Sequence, residues 1–507
     1  MKIKLLLFCI ACTAFGFNTH GQSPGSVDVT YGTNGKATAT NGQEYDVARG
    51  MALQKDGKTI VVGYTLADFM LTRFTTRGTP DTTFGSNGVV VTDIDNNSVE
   101  QANAVMVQTD GKILATGNTL DNTKRNFALL RYLSNGTLDN SFSTDGKVIT
   151  VLSTGQDEPM AIALQPDGKI LLAGTSEGRF AVVRYKQNGM PDSSFSSDGI
   201  QTTFIDNGQA VARSVHVLKN GKILLVGYID YNAQADCVMT QYLANGNLDS
   251  TFGTNGKVIA DVGGIDRMYC ATVQADEKIV VAGAVQNANF LFGLARFTKT
   301  GALDTSFSTD GKLTISYGNN HASRAMAITL QPDGKILVAG TDNLNGYDIA
   351  LLRLDSKGVP DAGFGSGGKV LTNFGSANID EGAGIALLPD GKIMVGGFSD
   401  GDFIAVRYHS GLNLSTKTVL KENAPALYPN PVTTHAQLAF TLAAASPVSI
   451  SIADVQGRII YTPADNVTYT GGEHTETITL PASMPPGIYW LQITTSQEIR
   501  WVKFMKY

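Results

Sequence analysis

The sequence predicts an all-β chain: a seven-bladed β-propeller whose N-terminal strand closes the last blade, followed by a small C-terminal β-sandwich. Three observations predict it. A hairpin phrase recurs, as in Gln165-Pro166-Asp167-Gly168-Lys169, where runs rich in Val, Ile and Leu flank a turn whose Gly supplies positive φ. The turn position falls at Gly57, Gly111, Gly168, Gly221, Glu277, Gly334 and Gly391, spaced 53 to 57 residues apart. That period lies in or just above the range of propeller blades, near the ~50 of kelch units. Third, the first and last units are complementary halves. Asp28–Lys36 repeats the end of a unit, as in Asp249–Lys257, while Ile385–Tyr408 has the hairpin and third strand but no such ending. A ring uses matched halves, because pairing its first strand with its last blade removes an exposed edge.

The chain opens with Lys2 and Lys4 before the apolar run Leu5–Cys12, and small residues at Thr19 and Gly21 allow cleavage before Gln22. Residues 1–21 therefore read as a secretory signal peptide. The run is shorter than the ~20 residues of a spanning helix. Residues 22–408 form the propeller. Each unit contributes four strands, in unit four Ala212–Leu218, Lys222–Tyr228, Cys237–Leu243 and Lys257–Asp261. The outer strand of blade seven comes from about Lys36–Thr40. Two aliphatic slots recur in the first strand, at Met51 and Leu53 in unit one and Val215 and Val217 in unit four, with small residues beside them. Such alternation marks strands with two distinct faces. The pattern stops over a linker, 409–424. Residues 425–507 carry a different set of strands: Gln437–Leu442, Val448–Ala453, Arg458–Tyr461, Thr475–Leu480, Ile488–Thr494 and Ile499–Phe504, with turns at Gln456-Gly457 and Pro485-Pro486-Gly487. About 80 residues with this spacing suit a small sandwich.

The recurring phrase Arg131-Tyr132-Leu133-Ser134-Asn135-Gly136-Thr137-Leu138-Asp139-Asn140-Ser141-Phe142 resembles the delta-60 repeat family over most of 27–408; unit four departs with Gln241 for Arg, and unit five with Glu277 for Gly. The resemblance implies a propeller and no agreed chemistry. The tail is similar to the type A C-terminal sorting domain of the Bacteroidetes type IX secretion system, through Leu427-Tyr428-Pro429-Asn430-Pro431, Ala453–Arg458, Pro486–Leu491 and the final Trp501–Tyr507. This implies Sec export, then passage across the outer membrane by the type IX machinery as partner, with the product surface-attached or released.

Composition excludes several functions. A net charge of −6 argues against a general nucleic-acid binder. Few charges and many glycines fit a turn-rich all-β protein better than a disordered chain. The sequence holds no Gly-x-Ser-x-Gly elbow, no Walker loop and no His-Glu-x-x-His, and its six His are scattered. No catalytic residue, metal site or cofactor is assigned. Cys237 and Cys270 remain after the signal, as small buried thiols or as a disulfide.

The repeated arginines Arg73, Arg131, Arg184, Arg296, Arg353 and Arg407 are each matched by an Asp about eight residues on, or in the last case by Asp28. Turn-fixing contacts explain them better than a ring of anion sites. Asp46, Glu100, Asp157, Asp266 and Asp380 precede the first strands, with Ala210 and Ser323 in units four and six. If that strand lines the channel, five carboxylates ring one mouth and attract a cation or ligand, or are neutralised by Arg49, Arg213, Arg267 and Arg324. The Asp-Gly-Lys end is uniform between units, whereas the other end varies in loop length, and varied loops on a rigid scaffold are where binding resides. Tyr231, Tyr269, Tyr317 and His321 lie there, with Tyr228, Phe290 and Tyr347, placing a candidate sugar- or peptide-stacking site near units four to six. The leading function is a secreted or surface-displayed monomeric propeller acting as a binding or scaffold module for an extracellular glycan or protein. The alternative is a glycan-active lyase or hydrolase, which needs a paired acid and base that the sevenfold pattern does not single out.

Overall fold

The computed structural model describes residues 23–42, 45–95, 99–121, 124–232, 234–286, 288–343, 346–375, 379–412, 425–442, 445–454, 459–495 and 499–507. The expected signal peptide, most of the expected linker and the Gln456-Gly457 turn lie outside them. The chain divides into two compact units, 1–412 and 413–507.

The first unit is a ring of seven four-stranded antiparallel sheets. In blade four the strands run Gln209–Val217, Ile223–Asp230, Ala235–Tyr242 and Lys257–Ala260, from the innermost outward. The innermost strands pack side by side around the axis, and Asp46–Leu53 of blade one meets Asp380–Leu387 of blade seven. Small residues allow this approach: a Cβ on Gly384 would lie 2.6 Å from that of Met51. Adjacent blades bury apolar layers between them, such as Leu171, Val182, Phe195, Val215 and Leu225 between blades three and four. Blade seven takes its outer strand from the N-terminus: Lys36–Ala39 pairs with Asp402–Tyr408, in register from Lys36 opposite Val406 to Ala39 opposite Phe403.

The recurring Arg and Asp latch each blade to the next. In blade three Arg184 donates from Nε to Asp192 at 2.8 Å, from Nη2 to Ser194 at 3.0 Å and from Nη1 to the Ala244 carbonyl of blade four at 2.6 Å. Its guanidinium lies over the Phe195 ring, 4.6 Å from the centroid. Lys169 of the hairpin turn reaches the same Asp192 oxygen at 3.2 Å. One Asp thus holds the hairpin, the third strand and the turn into the outer strand, while the Arg crosses to the neighbouring blade. Burial works against ionisation of Asp192, but the Ser194 and Lys169 hydrogen bonds and the Arg184 charge outweigh it and hold the carboxyl below its ordinary range.

Every innermost strand carries a bulge at the same place, between Ala48 and Gly50 in blade one and between Ala212 and Ser214 in blade four. A glycine of the second strand stands opposite each time. In blade four a Cβ on Gly227 would sit 1.9 Å from the Val211 carbonyl oxygen. The glycine makes room for the backbone that the bulge pushes towards it.

The second unit packs the sheet Ala426–Tyr428, His435–Leu442, Gly472–Thr479 against a four-stranded sheet ordered Ile459–Tyr469, Ser446–Ala453, Gly487–Thr495, Ile499–Lys506. Leu438, Phe440, Ile450, Leu491 and Phe504 fill its core. The strand expected at Arg458–Tyr461 continues to Tyr469. Pro463 is accommodated because this strand lies at a sheet edge and its register shifts there.

Cys237 is buried and Cys270 partly so, and both are free thiols pushed upward by burial.

Candidate functional site in the propeller channel

The bulges decide what lines the channel. Their extra residues are Arg49, Asn103, Met160, Arg213, Tyr269, Met326 and Ala383, one from each blade. All seven line a cavity of about 220 Å³, together with Gln101, Glu158 and Glu381 from positions two residues earlier. These positions lie in the half of each innermost strand that faces the variable loops. The wall is asymmetric in a way that a sevenfold scaffold does not require.

Its cationic lining residues are Arg49 of blade one, over the Tyr64 ring at 5.7 Å, and Arg213 of blade four, and its aromatic lining residue is Tyr269 of blade five. Arg213 lies over the Tyr269 ring at 5.4 Å, and Tyr269 meets Tyr228 edge to face at 5.9 Å. Arg324 lies over Phe290 at 5.5 Å. Arg267 is already neutralised: its Nε and Nη2 bond the two oxygens of Asp230 at 3.1 and 2.9 Å. Arg213 has no carboxylate partner among the described residues, and its Nε is buried without a hydrogen bond. Among the described residues its one polar contact is Nη1 to the Met160 sulfur at 3.2 Å, a weak acceptor. In the adjacent blade three Glu158 accepts from Asn118 at 3.2 Å and Arg125 at 3.1 Å, both of blade two. Burial raises the Glu381 carboxyl, opposed by the charges of Arg49 and Arg324.

The carboxylates expected at the channel mouth are elsewhere. Asp46, Glu100, Asp157, Asp266 and Asp380 are fully buried. Four of them accept amides of the loop arriving from the previous blade: Ile94 on Glu100 at 3.0 Å, Leu152 and Ser153 on Asp157 at 2.8 Å each, Gly263 on Asp266 at 3.0 Å and Phe374 on Asp380 at 2.6 Å. For Asp46, burial raises the carboxyl while Thr65 and the Asn41 backbone oppose it. Strand register explains the two exceptions. Asp157 stands opposite Ser176, and Asp380 opposite Ser399; in blade six the pair is exchanged, with Ser323 opposite Asp342. In blade four Ala210 stands opposite Ile229, and both are buried and apolar. The position is a loop anchor, and the expected mouth of acids is replaced by the bulge ring.

Of the expected aromatic set, Tyr269 lines the cavity. Tyr231 packs against the blade-four core and donates to Asp206 at 3.2 Å; burial first, then the Asp206 charge, pushes its hydroxyl up to about 12. Tyr317 packs on Phe292 at 5.2 Å. His321 contacts Asp342 through Nδ1 at 2.9 Å. These three serve their own loops. Asp68, Asp93 and Glu100 also bring one oxygen each within 4.8 Å of one another, a cluster the sequence does not announce. The signal for the channel ring was present as the glycine that recurs in each second strand, Gly63, Gly117, Gly174, Gly227, Gly283, Gly340 and Gly397. It marks the bulge opposite, and so the residue aimed inward.

Fold and channel together define a closed, seven-bladed repeat propeller with an appended sandwich. Residues 54–84, 108–142, 165–195, 218–252, 274–307 and 331–364 match the family described as a domain of unknown function (DUF5122) beta-propeller. Residues 426–506 match the secretion system C-terminal sorting domain. The chain is a propeller of DUF5122 repeats with a type IX secretion sorting tail. The tail directs export through the type IX machinery to the cell surface or extracellular space. Among solved structures the chain is similar to virginiamycin B lyase from Staphylococcus aureus, at 12% identity over 74% of this chain and 98% of that one, with a TM-score of 0.47. It is also similar to PorZ, a surface component of the type IX secretion system of Porphyromonas gingivalis, at 12% identity over 90% and 59% of the two chains, with a TM-score of 0.40. The polysaccharide lyase Uly1 is similar at 11% identity over 73% and 94%, with a TM-score of 0.41. No curated protein matches the chain.

Proposed function

We propose that the protein is a secreted or surface-displayed binding module whose propeller channel takes an acidic ligand at Arg213 and Tyr269. Residues 1–21 carry the chain to the periplasm by Sec export, and the mature propeller acts as a monomer. One observation supports the reading above others: Arg213 faces the cavity as a cation with no acidic partner and an unbonded Nε. A half-buried guanidinium without a carboxylate partner gains from a ligand carboxylate or sulfate that pairs with it. Tyr269 and Tyr228 add a surface on which a sugar ring stacks. The favoured ligand class is an acidic glycan. Binding of acidic oligosaccharides to the full chain, measured by calorimetry, tests this. Arg213→Ala and Tyr269→Ala should each weaken binding by about tenfold or more with the melting temperature held. Binding that survives both substitutions would refute the site.

The glycan-active alternative draws support from Glu381, whose raised carboxyl faces the same cavity as Tyr269. New reducing ends or unsaturated products in the same assay would favour it.

A further inference from the structure

Two departures from the repeat meet at one place. Gln241 replaces the latch arginine of blade four, and Glu277 replaces the turn glycine of blade five; both line a cavity of about 220 Å³ between those blades, at the Asp-Gly-Lys end. We propose that this cavity binds the guanidinium of an arginine side chain on a partner.

The other blades show what the slot was shaped for. In six latches the Asp Oδ2 holds two donors, an Arg Nε and a Lys Nζ, as Asp192 holds Arg184 and Lys169. In blade four Asp249 Oδ2 holds, among the described residues, Lys222 alone, at 2.6 Å. The other groups that greet a guanidinium are in place. Thr251 corresponds to Ser194, Phe252 to the stacked Phe195, and the Lys299 carbonyl to that of Ala244. In blade seven the equivalent groove has Arg407 in its wall, lying over Tyr31 and bonded to Thr30. In blade four Thr251 and Phe252 themselves line the cavity. Gln241 is too short and uncharged to fill the fork.

Glu277 adds an acid at the rim. It holds φ at +66°, where the six other turns use glycine at +79° to +87°. A side chain in that region is strained, and a carboxylate there gives the slot a second anionic group. Lys299, an exposed side chain, approaches Glu277 at 3.9 Å and competes for it. The slot thus lacks the arginine and gains an acid, and Lys299, where the other blades have an uncharged residue such as Ala244 or Ser356, offsets one of the two changes. An incoming arginine restores the sevenfold pattern, with planar bidentate bonding that an ammonium cannot reproduce.

The test uses the full chain with N-acetylargininamide as probe and N-acetyllysinamide as control, by calorimetry. Binding of the arginine probe at least about tenfold tighter than the lysine probe is expected. Gln241→Arg should abolish it while raising the melting temperature, since it restores the latch of the other six blades. Glu277→Gly should weaken binding roughly fivefold and Lys299→Ala strengthen it. Both restored variants carry residues already tolerated at that position in other blades, so folding is not at risk. Equal affinity for the two probes, no saturable binding, or binding unaltered by Gln241→Arg would each overturn the proposal.

Discussion

Asp28 accepts a hydrogen bond from Arg407 Nε at 2.8 Å across 379 residues of chain. Lys392 reaches the same carboxylate oxygen at 2.9 Å. The contact has the geometry of the latch inside every other arginine-bearing blade, but here it also closes the ring. Below Asp28 the strand Lys36–Ala39 completes blade seven. Removing the carboxylate leaves a guanidinium whose side chain is 11% exposed without its counter-charge. Breaking such a pair costs about 3–5 kcal/mol. Asp28→Ala should therefore lose that much stability in urea melts. It should also speed hydrogen exchange through Asp402–Tyr408, which becomes an edge. Asp81→Ala breaks the equivalent latch within one blade and should leave that strand protected. Equal exchange in the two variants would contradict closure by the N-terminus.

The sorting tail has its own core, from Leu438 and Phe440 to Leu491 and Phe504. Deleting 425–507 should leave the propeller folded and hold it in the periplasm. Fractionation of the producing cells, with circular dichroism of the truncated chain, checks both halves. A truncated chain that still reaches the medium would sink the export assignment.

Stability should depend on pH in two opposed ways. All seven latch carboxylates, Asp28, Asp81, Asp139, Asp192, Asp249, Asp304 and Asp361, are held below their ordinary range, with burial outweighed by hydrogen bonds and cationic neighbours. Depressed acids stabilise fully above the unfolded value near 4 and lose that contribution as pH falls through the folded values. Unfolding below about pH 4 should therefore be steep. Asp266 has the opposite sign: burial raises it to about 6, against the amides of Val262 and Gly263 and with help from Asp261 and Asp236. Its contribution is present below the unfolded value and lost as pH rises through about 6. Asp266→Asn should gain stability relative to the parent between pH 4.5 and 7.5, by roughly 1–3 kcal/mol. A gap that does not change with pH would show that Asp266 is ionised at no cost.

The ring was legible because its closure is written in the chain as two half units, Asp28–Lys36 and Ile385–Tyr408, that fit only each other. The latch was legible too, since Arg, Asp and Phe keep their spacing from unit to unit. The site was less so, because a bulge adds one residue partway along each innermost strand. Alternation read through it changes phase, which sends Asp157 into the blade and Met160 into the channel. Tyr231 and Tyr317 lie in loops of the variable end, yet loop position says nothing about whether a ring faces solvent or its own blade.

Two glycines of blade four separate the turn from the bulge. Gly221 sits in the hairpin turn at φ +79°, and an added Cβ would meet nothing within 4 Å. Blade five already carries Glu277 at this position, so Gly221→Ala should cost only about 1 kcal/mol, the price of a positive φ. Gly227 has ordinary dihedral freedom, but its Cβ would lie 1.9 Å from the Val211 carbonyl oxygen. No rotamer relieves an overlap between Cβ and backbone. The innermost strand must give up its bulge or move off the second strand, and either change withdraws Arg213 from the cavity. Gly227→Ala should cost at least about 3 kcal/mol. It should also remove acidic-ligand binding in the calorimetric assay, while Gly221→Ala retains it. If Gly227→Ala proves the milder of the two in urea melts, the bulge does not hold the channel ring in place.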